Sequence, residues 1–231
     1  MREILIADDH PLFRDALKHA LSQAIPDALL LDADSVSALQ NLVEAHTEAD
    51  LLLLDLQMPG ANGFSALAYM RGQYPGLPII VVSAQEEAAT VRRAMAHGAS
   101  GYIPKSASVE TIGEAVRRVL DGDVWLPPHL AATVGTLKPD EVSVAAQIAA
   151  LTPQQFRVLG MIAEGLLNKQ IAFELGVSEA TIKAHMTAIM RKLGVNNRTQ
   201  VALIANHLAV EQGNMPALPD DDGETADTGG H

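Results

Sequence analysis

Polar side chains able to bind a cation and a phosphoryl group follow four short apolar runs of this 231-residue chain. Each comes directly after its run or within two residues of it; in chain order they are Asp8 and Asp9, Asp55, Ser83 and Lys105. The carboxyl ends of neighbouring parallel strands meet at one edge of an open sheet. If the apolar runs are such strands, we expect these five side chains to converge there.

A cation is part of this interpretation because three carboxylates placed together resist joint ionisation unless a positive charge compensates them. An all-oxygen set suits Mg²⁺, which keeps several of its waters. With Mg²⁺ bound, Asp55 at the centre of the edge could attack a phosphoryl group and form an acyl phosphate. Lys105 would neutralise phosphoryl oxygens, and Ser83 would donate a hydrogen bond. These three residues are the predicted catalytic set.

A plainer interpretation is that each aspartate merely caps the helix that follows it, as aspartates often do. It is a fair reading of any one of Asp8, Asp9 and Asp55. The whole set is harder to explain in this way, because every member falls at a strand end and the last run is followed by a lysine. The joint placement therefore favours a chemical site.

The elements that must position this site are read from the apolar runs. The runs separate longer stretches with helical spacing, such as residues 12–23, and lie at residues 4–7, 29–31, 51–54, 79–82 and 101–103. Near-continuous apolarity is typical of strands buried on both faces, and alternation with helices implies right-handed crossovers. We predict an α/β domain over residues 1–122, a flavodoxin-like, doubly wound sheet of five parallel strands.

The segments that carry these residues resemble the receiver domains of response regulators. The resemblance lies in Ile-Leu-Ile-Ala-Asp-Asp-His at residues 4–10, Leu-Asp-Leu-Gln-Met-Pro-Gly at 54–60 and Gly-Ala-Ser-Gly-Tyr-Ile-Pro-Lys at 98–105. It implies that Asp55 accepts phosphate from a sensor histidine kinase. It also implies that Asp9, Asp55 and the backbone carbonyl of Gln57 hold Mg²⁺, while Asp8 acts largely through water.

The same resemblance assigns a switch pair to Ser83 and Tyr102. In that family the hydroxyl turns toward the phosphoryl group and the aromatic ring follows it inward. Taken alone, Tyr102 is better explained as a half-buried strand residue. Serine in place of the commoner threonine at position 83 keeps the hydroxyl that the switch requires.

Two other α/β classes fit the sequence less well. A phosphatase or phosphotransferase with an aspartate nucleophile needs a second acid two residues later to protonate the leaving group, and Gln57 occupies that position. A flavodoxin-like carrier needs a hydroxyl- and glycine-rich loop after the first strand, whereas Asp8 and Asp9 would repel a flavin phosphate.

The charge of the chain is uneven, and this locates a second function. The total is −12, and residues 1–125 carry −8, whereas residues 151–207 carry +3. We predict a linker with some helix over residues 123–147, a basic all-helical domain over 148–210 and a disordered acidic tail over 211–231. The chain has no cysteine and its apolar runs are too short for a membrane span, so we expect a soluble cytoplasmic protein.

The helical domain shows the spacing of a helix-turn-helix. A helix near residues 168–175 ends at Gly176, and Ser178 can cap the next helix, which runs to about residue 193. Lys183 and Thr187 would lie on the face away from the apolar residues and could enter a major groove. The alternative is a small helical bundle used for dimerisation or docking, which the charge alone does not refute.

The order of motifs resembles the LuxR-type helix-turn-helix, and the whole arrangement resembles the NarL/FixJ family of transcription regulators, which are not enzymes. The resemblance implies contacts of Lys183, Ala184 and Thr187 with base edges of double-stranded promoter DNA. Candidate phosphate contacts are Asn168, Lys169, Thr181, His185 and Lys192.

One departure from the family pattern concerns an internal ion pair. The family usually has Arg-Glu after Leu-Thr-Pro, where this chain has Gln154 and Gln155. An ion pair with Arg198 is therefore in doubt, and we expect a modest change in stability. The last helix, from Arg198 to about residue 208, is the expected surface of a homodimer that forms on phosphorylation and binds inverted half-sites.

Overall fold

The computed structural model describes residues 1–130 and 139–207, without the side chains of residues 61, 62, 139–142 and 207. Seven strands occur in this part of the chain: β1 (Glu3–Ala7), β2 (Leu29–Ala33), β3 (Leu51–Asp55), β4 (Gln57–Met58), β5 (Ala61–Asn62), β6 (Ile79–Ser83) and β7 (Gly101–Pro104). Five form one parallel sheet in the order β2-β1-β3-β6-β7. This confirms the predicted flavodoxin-like sheet, whereas the short antiparallel β4–β5 hairpin is not predicted by the sequence.

The sheet is covered by helices on both faces, which explains why its strands are almost wholly apolar. On β1, Ile4 and Ile6 pack with α1 and α5, whereas Leu5 packs on the side of α2, α3 and α4. These helices are α1 (Pro11–Ala24), α2 (Val36–Ala45), α3 (Ser65–Gln73), α4 (Ala88–Ala96) and α5 (Val109–Leu120). Ala7 pairs with Leu54, and Asp55 with Val82, so the carboxyl ends of β1, β3 and β6 reach the same edge.

The chain stays attached to the sheet after α5. The amide of Trp125 donates to the Ser100 carbonyl at 3.2 Å, and its own carbonyl accepts from the amide of Tyr102 at 3.1 Å. The Trp125 side chain is buried against the α1–α5 face of the core. The predicted boundary at residue 122 thus falls just before a tryptophan that packs with the α/β core.

The rest of the described chain is helical, as the sequence predicts. Its helices are α6 (Pro139–Ala149), α7 (Pro153–Ala163), α8 (Asn168–Glu174), α9 (Glu179–Leu193) and α10 (Arg198–His207). Ser178 caps α9 by accepting a hydrogen bond from the Thr181 amide, and Gly194 ends it with a φ of 66°. Helix α6 falls largely within the predicted linker. The predicted acidic tail, residues 211–231, lies outside the described residues.

The helical part packs directly on the α/β part. Helix α6 lies along α3, and α7 lies against α2 and the β4–β5 hairpin. Arg157 on α7 donates to Gln40 at 2.7 Å and to Asn41 at 2.6 Å, both on α2. Among the described helices, none is both long and apolar enough to cross a membrane.

Candidate functional sites

The first site is an acid pocket at the carboxyl edge of the sheet, formed by Asp8, Asp9, Asp55 and Lys105. Asp8 directly follows β1 and Asp55 ends β3, and both side chains are buried. Lys105 follows β7, and its Nζ lies 2.7 Å from Asp8 Oδ2 and 2.8 Å from Asp55 Oδ2. The predicted convergence of strand ends is therefore present, with the lysine bridging two carboxylates.

The pocket has the donor set of a divalent-cation site. Asp8, Asp9, His10 and Asp55 each offer one ligand atom, and these atoms lie within 4.8 Å of one another. Three carboxylates face a single lysine, so the pocket keeps a net negative charge that a divalent cation would balance. The Gln57 amide donates to Asp55 Oδ1 at 3.2 Å, which places the backbone of Gln57 beside the pocket. These oxygen donors fit Mg²⁺.

The electrostatics of the pocket are dominated by burial. Burial raises the pKa of Asp55 above its usual value, and the hydrogen bond and charge of Lys105 only partly oppose this. Burial would lower the pKa of Lys105, but its hydrogen bonds to Asp55 and Asp8 outweigh that effect and raise it. Lys105 is therefore charged at neutral pH, and it is positioned to offset charge at Asp55.

Ser83 and Tyr102 are joined through a third residue. Ser83 ends β6 and its hydroxyl accepts a hydrogen bond from the Gln85 amide at 3.2 Å. The hydroxyl of Tyr102 donates to the Gln85 carbonyl. The Tyr102 ring is fully buried, and this burial raises the pKa of its hydroxyl to about 12. Sequence reasoning missed Gln85, which it could have considered because Gln85 lies two residues after Ser83.

The second site is the outer face of α9. Lys183, Ala184 and Thr187 are exposed there, on the side opposite the buried Ile182 and Ile189. Helix α8 and the turn at Gly176, where φ is 63°, precede α9, so the helix–turn–helix order is as predicted. An exposed helix face of this kind, carrying a cation and a hydroxyl, can lie in a major groove.

Comparison with known proteins identifies both parts of the chain. A family model described as the response regulator receiver domain matches residues 4–117, and one described as bacterial regulatory proteins, luxR family, matches residues 149–205. A glycerol metabolism activator of Pseudomonas putida is 38% identical over 213 residues, covering 90% of this chain and 96% of that protein. The chain belongs to the response regulators with a LuxR-family domain.

Two further proteins are similar to this response regulator over most of its length. The nitrate/nitrite response regulator protein NarL of Escherichia coli strain K12 is 31% identical, covering 87% of this chain and 93% of NarL. RcsB from Salmonella enterica serovar Typhimurium, solved bound to promoter P1flhDC with the phosphomimetic BeF₃⁻, is 26% identical with a TM-score of 0.52. That match covers 88% of this chain and 97% of the RcsB chain. The family comprises transcription regulators and not enzymes, as the sequence predicts.

The predicted phosphate-contacting residues of this response regulator differ in the exposure and the hydrogen bonding of their side chains. Lys169 is exposed, whereas His185 is half-buried. Thr181, also half-buried, shares a hydrogen bond with the Ser178 hydroxyl at 2.8 Å. Asn168 accepts a hydrogen bond from Arg198 at 2.9 Å. Of this group, Lys169 projects most freely.

Lys192 is held inside the helical domain. Its Nζ donates to the Ala150 carbonyl at 2.9 Å and to Gln155 Oε1 at 2.8 Å. Gln155 also closes a capping box, because its side chain accepts from the amide of Thr152. Lys192 therefore ties the end of α9 to the start of α7.

The glutamines at positions 154 and 155 replace a pair for which the family pattern implies an ion pair with Arg198, and the sequence leaves that ion pair in doubt. In the structure, Gln155 hydrogen-bonds to Lys192. Arg198 binds Asn168 and the Leu166 carbonyl at the start of α8. A neutral glutamine suffices at position 155 because its amide oxygen accepts from both a backbone amide and a lysine.

Residues on α1 and at its N-cap, His10, support the acid pocket and were not predicted. Arg14 donates to the Asp8 carbonyl at 2.7 Å and to Asp32 at 3.0 Å, which anchors the loop after β1. The Phe13 ring lies 4.9 Å from the Nζ of Lys105. His10 lies 2.7 Å from Asp9 Oδ1. The one feature of the sequence that could have indicated these residues is that they follow closely after Asp8 and Asp9.

Proposed function

We propose that a sensor histidine kinase phosphorylates Asp55 of this response regulator in the cytoplasm, with Mg²⁺ in the acid pocket. Phosphorylation then promotes a homodimer that binds promoter DNA at inverted half-sites. The observation that carries the proposal is Lys105, which bridges Asp8 and Asp55 at a sheet edge. The exposed face of α9 supplies the output surface. In support, the related RcsB chain was solved on a promoter with a phosphomimetic.

The geometry of the pocket supports the following transfer step. A carboxylate oxygen of Asp55 attacks the phosphorus of a phosphohistidine, a P–O bond forms, and the P–N bond to imidazole breaks. Lys105 offsets the negative charge of the transferred group, and the Ser83 hydroxyl is free to turn from Gln85 toward it. Mg²⁺ supplies further charge neutralisation when bound. Buried Asp8 keeps Lys105 oriented toward Asp55.

Two routes could carry the output step: the receiver could occlude the recognition helix, or it could control dimerisation. Lys183, Ala184 and Thr187 are exposed while the receiver packs on the helical domain, which favours dimerisation. Helix α10 is the dimer surface expected from the sequence, and its Leu203 side chain is exposed, where a second copy could contact it. We therefore assign the dimer contact to α10.

Phos-tag electrophoresis after treatment with acetyl phosphate, with and without Mg²⁺, tests the first step. We expect a Mg²⁺-dependent shifted band in the wild type and in Asp27→Asn, whose aspartate is exposed, but none in Asp55→Asn. A DNA titration of each sample tests the second step. Tighter binding by the modified wild type supports the proposal. Equal DNA affinity with and without phosphate would leave a constitutive DNA-binding protein with a receiver used only for contacts.

A further inference from the structure

The β4–β5 hairpin starts at the acid pocket and ends in the interface between the domains. The Gln57 amide donates to Asp55 Oδ1, so the first residue of the hairpin is fixed to the phosphate acceptor. Gln57 pairs with Asn62 across the hairpin. Pro59 and Gly60 form its tip, and Gly60 has a φ of 90°. Proline followed by a positive-φ glycine suits a tight type II turn, which is a stiff connection.

The tip of this hairpin meets α7 backbone against backbone. The Gly60 amide donates to Glu164 Oε1 at 3.0 Å. A Cβ atom placed on Gly160 would lie 2.2 Å from the Gly60 carbonyl oxygen, because no side chain separates the two segments. A shift of the hairpin cannot be absorbed by a rotating side chain at this point. It must move α7 or break the contact.

Helix α7 in turn supports the output surfaces. It packs against both α9, which carries the recognition face, and α10, which carries the exposed Leu203. Lys192 adds a polar tie between α9 and the start of α7 through Gln155. A displacement of α7 relative to the receiver therefore moves the whole helical domain.

We propose that the β4–β5 hairpin relays the state of Asp55 to the DNA-binding domain through Gly60, Gly160 and Glu164. This inference rests on the proposed function and adds a route that does not pass through Ser83 and Tyr102. A phosphoryl group on Asp55 adds bulk and charge beside the Gln57 amide, and the stiff hairpin carries the shift to its tip. The tip then leaves α7, and the domains separate.

Gly160→Ala in the full chain tests the relay, because the added methyl group occupies the place of the Gly60 carbonyl. Alanine is at least as compatible with a helix as glycine, so α7 itself remains favoured. Gly76→Ala is the matched control, because nothing lies within 4 Å of its Cβ position. The measurements are DNA affinity by fluorescence anisotropy and radius of gyration by X-ray scattering. Each is made with Mg²⁺, in the presence and absence of beryllofluoride.

In the wild type and Gly76→Ala, we expect beryllofluoride to tighten DNA binding by about fivefold or more, the lower end of typical coupling between sites. Gly160→Ala should bind DNA tightly and show the larger radius without beryllofluoride, with a response ratio close to one. Gly160→Ala that keeps the wild-type ratio and radius would overturn the relay alone. A wild type that does not respond would overturn the proposed function as well.

Glu164 gives a second and milder test that does not depend on steric overlap. Glu164→Ala removes the acceptor for the Gly60 amide, whereas Glu164→Gln retains an oxygen at that position. We expect the beryllofluoride response to fall in Glu164→Ala and to persist in Glu164→Gln. Equal responses in the two variants would count against the hydrogen bond as part of the relay.

Discussion

The ring of Tyr69 on α3 stacks on the ring of Phe156 on α7, with centroids 4.2 Å apart and planes 7° from parallel. One residue belongs to the receiver and the other to the helical domain, and both are buried. Their contact makes the core of the α2–α4 side of the receiver continuous with the core of the helical domain. The two domains should therefore stabilise each other.

Replacing Tyr69 by leucine should weaken that mutual stabilisation. An aromatic pair contributes about 0.5–1.5 kcal/mol beyond the area it buries, so we expect a loss of about 1 kcal/mol in the free energy of unfolding. Denaturant unfolding followed by circular dichroism should show the two domains melting less cooperatively. Tyr74→Leu, at the end of the same helix, is the control and should keep the wild-type shape of the transition. Identical curves for the two variants would argue against the stack as the coupling contact.

Replacing Lys105 by methionine should destabilise the metal-free protein. Loss of the cation leaves Asp8 and Asp55 buried side by side, and a cost of about 1–3 kcal/mol is expected after allowance for the partial exposure of the ammonium group. Saturating Mg²⁺ should restore part of this loss, because the ion neutralises the same carboxylates. Chemical unfolding with and without Mg²⁺ measures both effects.

Lys18→Met is the control for this experiment, because Lys18 pairs with Asp32 at 2.6 Å near the surface. Such a pair contributes about 0–1 kcal/mol, and its removal should not depend on Mg²⁺. A Lys105→Met protein as stable as Lys18→Met without Mg²⁺ would contradict the assigned role of Lys105.

Lys169 and Lys192 should respond differently to removal of their charge. Lys169 is exposed, so Lys169→Ala should weaken DNA binding and reduce the slope of log affinity against log salt by about 1, without changing stability. Lys192→Ala breaks the ties to Ala150 and Gln155, so its main effect should be a lower free energy of unfolding, by about 1 kcal/mol. Salt-dependent anisotropy titrations and thermal unfolding separate the two outcomes. If Lys192→Ala changed the slope of log affinity against log salt more than Lys169→Ala did, Lys192 and not Lys169 would be the phosphate contact.

His97 should make stability depend on pH. It is buried and stacks on Phe64, and burial together with the charge of Arg93 lowers the pKa of its imidazole to about 4. In the unfolded chain His97 takes up a proton near pH 6.5, whereas in the folded protein it stays neutral down to about pH 4. The contribution of neutral His97 to the free energy of unfolding is therefore fully present above about pH 6.5 and is lost as the pH falls toward 4. The loss amounts to about 3 kcal/mol.

Urea unfolding at a series of pH values between 7 and 4 checks this dependence (~0.5-unit steps suffice for a slope of this size). His97→Gln should flatten the pH profile, whereas His19→Gln, which changes an exposed histidine, should not. A profile of unchanged steepness in His97→Gln would assign the effect to other groups.

The receiver could be predicted in detail because its signals are local. The apolar runs differ from the observed strands by no more than two residues at either end, as at β2, where residues 29–31 extend to Ala33. The acid pocket follows from the strand ends, since parallel pairing brings Asp8 and Asp55 to one edge whatever the loops do. The helix–turn–helix was equally local, with Ser178 and Gly194 marking the ends of α9.

Contacts between distant segments could not be predicted in this way. Tyr69 and Phe156 each have the spacing of a buried helical residue, but helical spacing does not identify the partner across the interface. The same holds for Gln155, whose amide could accept from Arg198 or from Lys192 with equal chemistry. The strands of the β4–β5 hairpin have two residues each, too few for a periodicity, although Pro59 and Gly60 are a turn signal in the sequence.

Trp125 has a consequence for where the receiver can be cut. Its backbone bonds to Ser100 and Tyr102 cover part of the outer strand β7 at the edge of the sheet. A bare edge strand with unpaired amides and carbonyls is a template for pairing with another chain. A receiver truncated at Gly122 would expose that edge and be prone to aggregate. A receiver that continues to Leu130, which is also buried, would retain the backbone of Trp125 hydrogen-bonded along the edge.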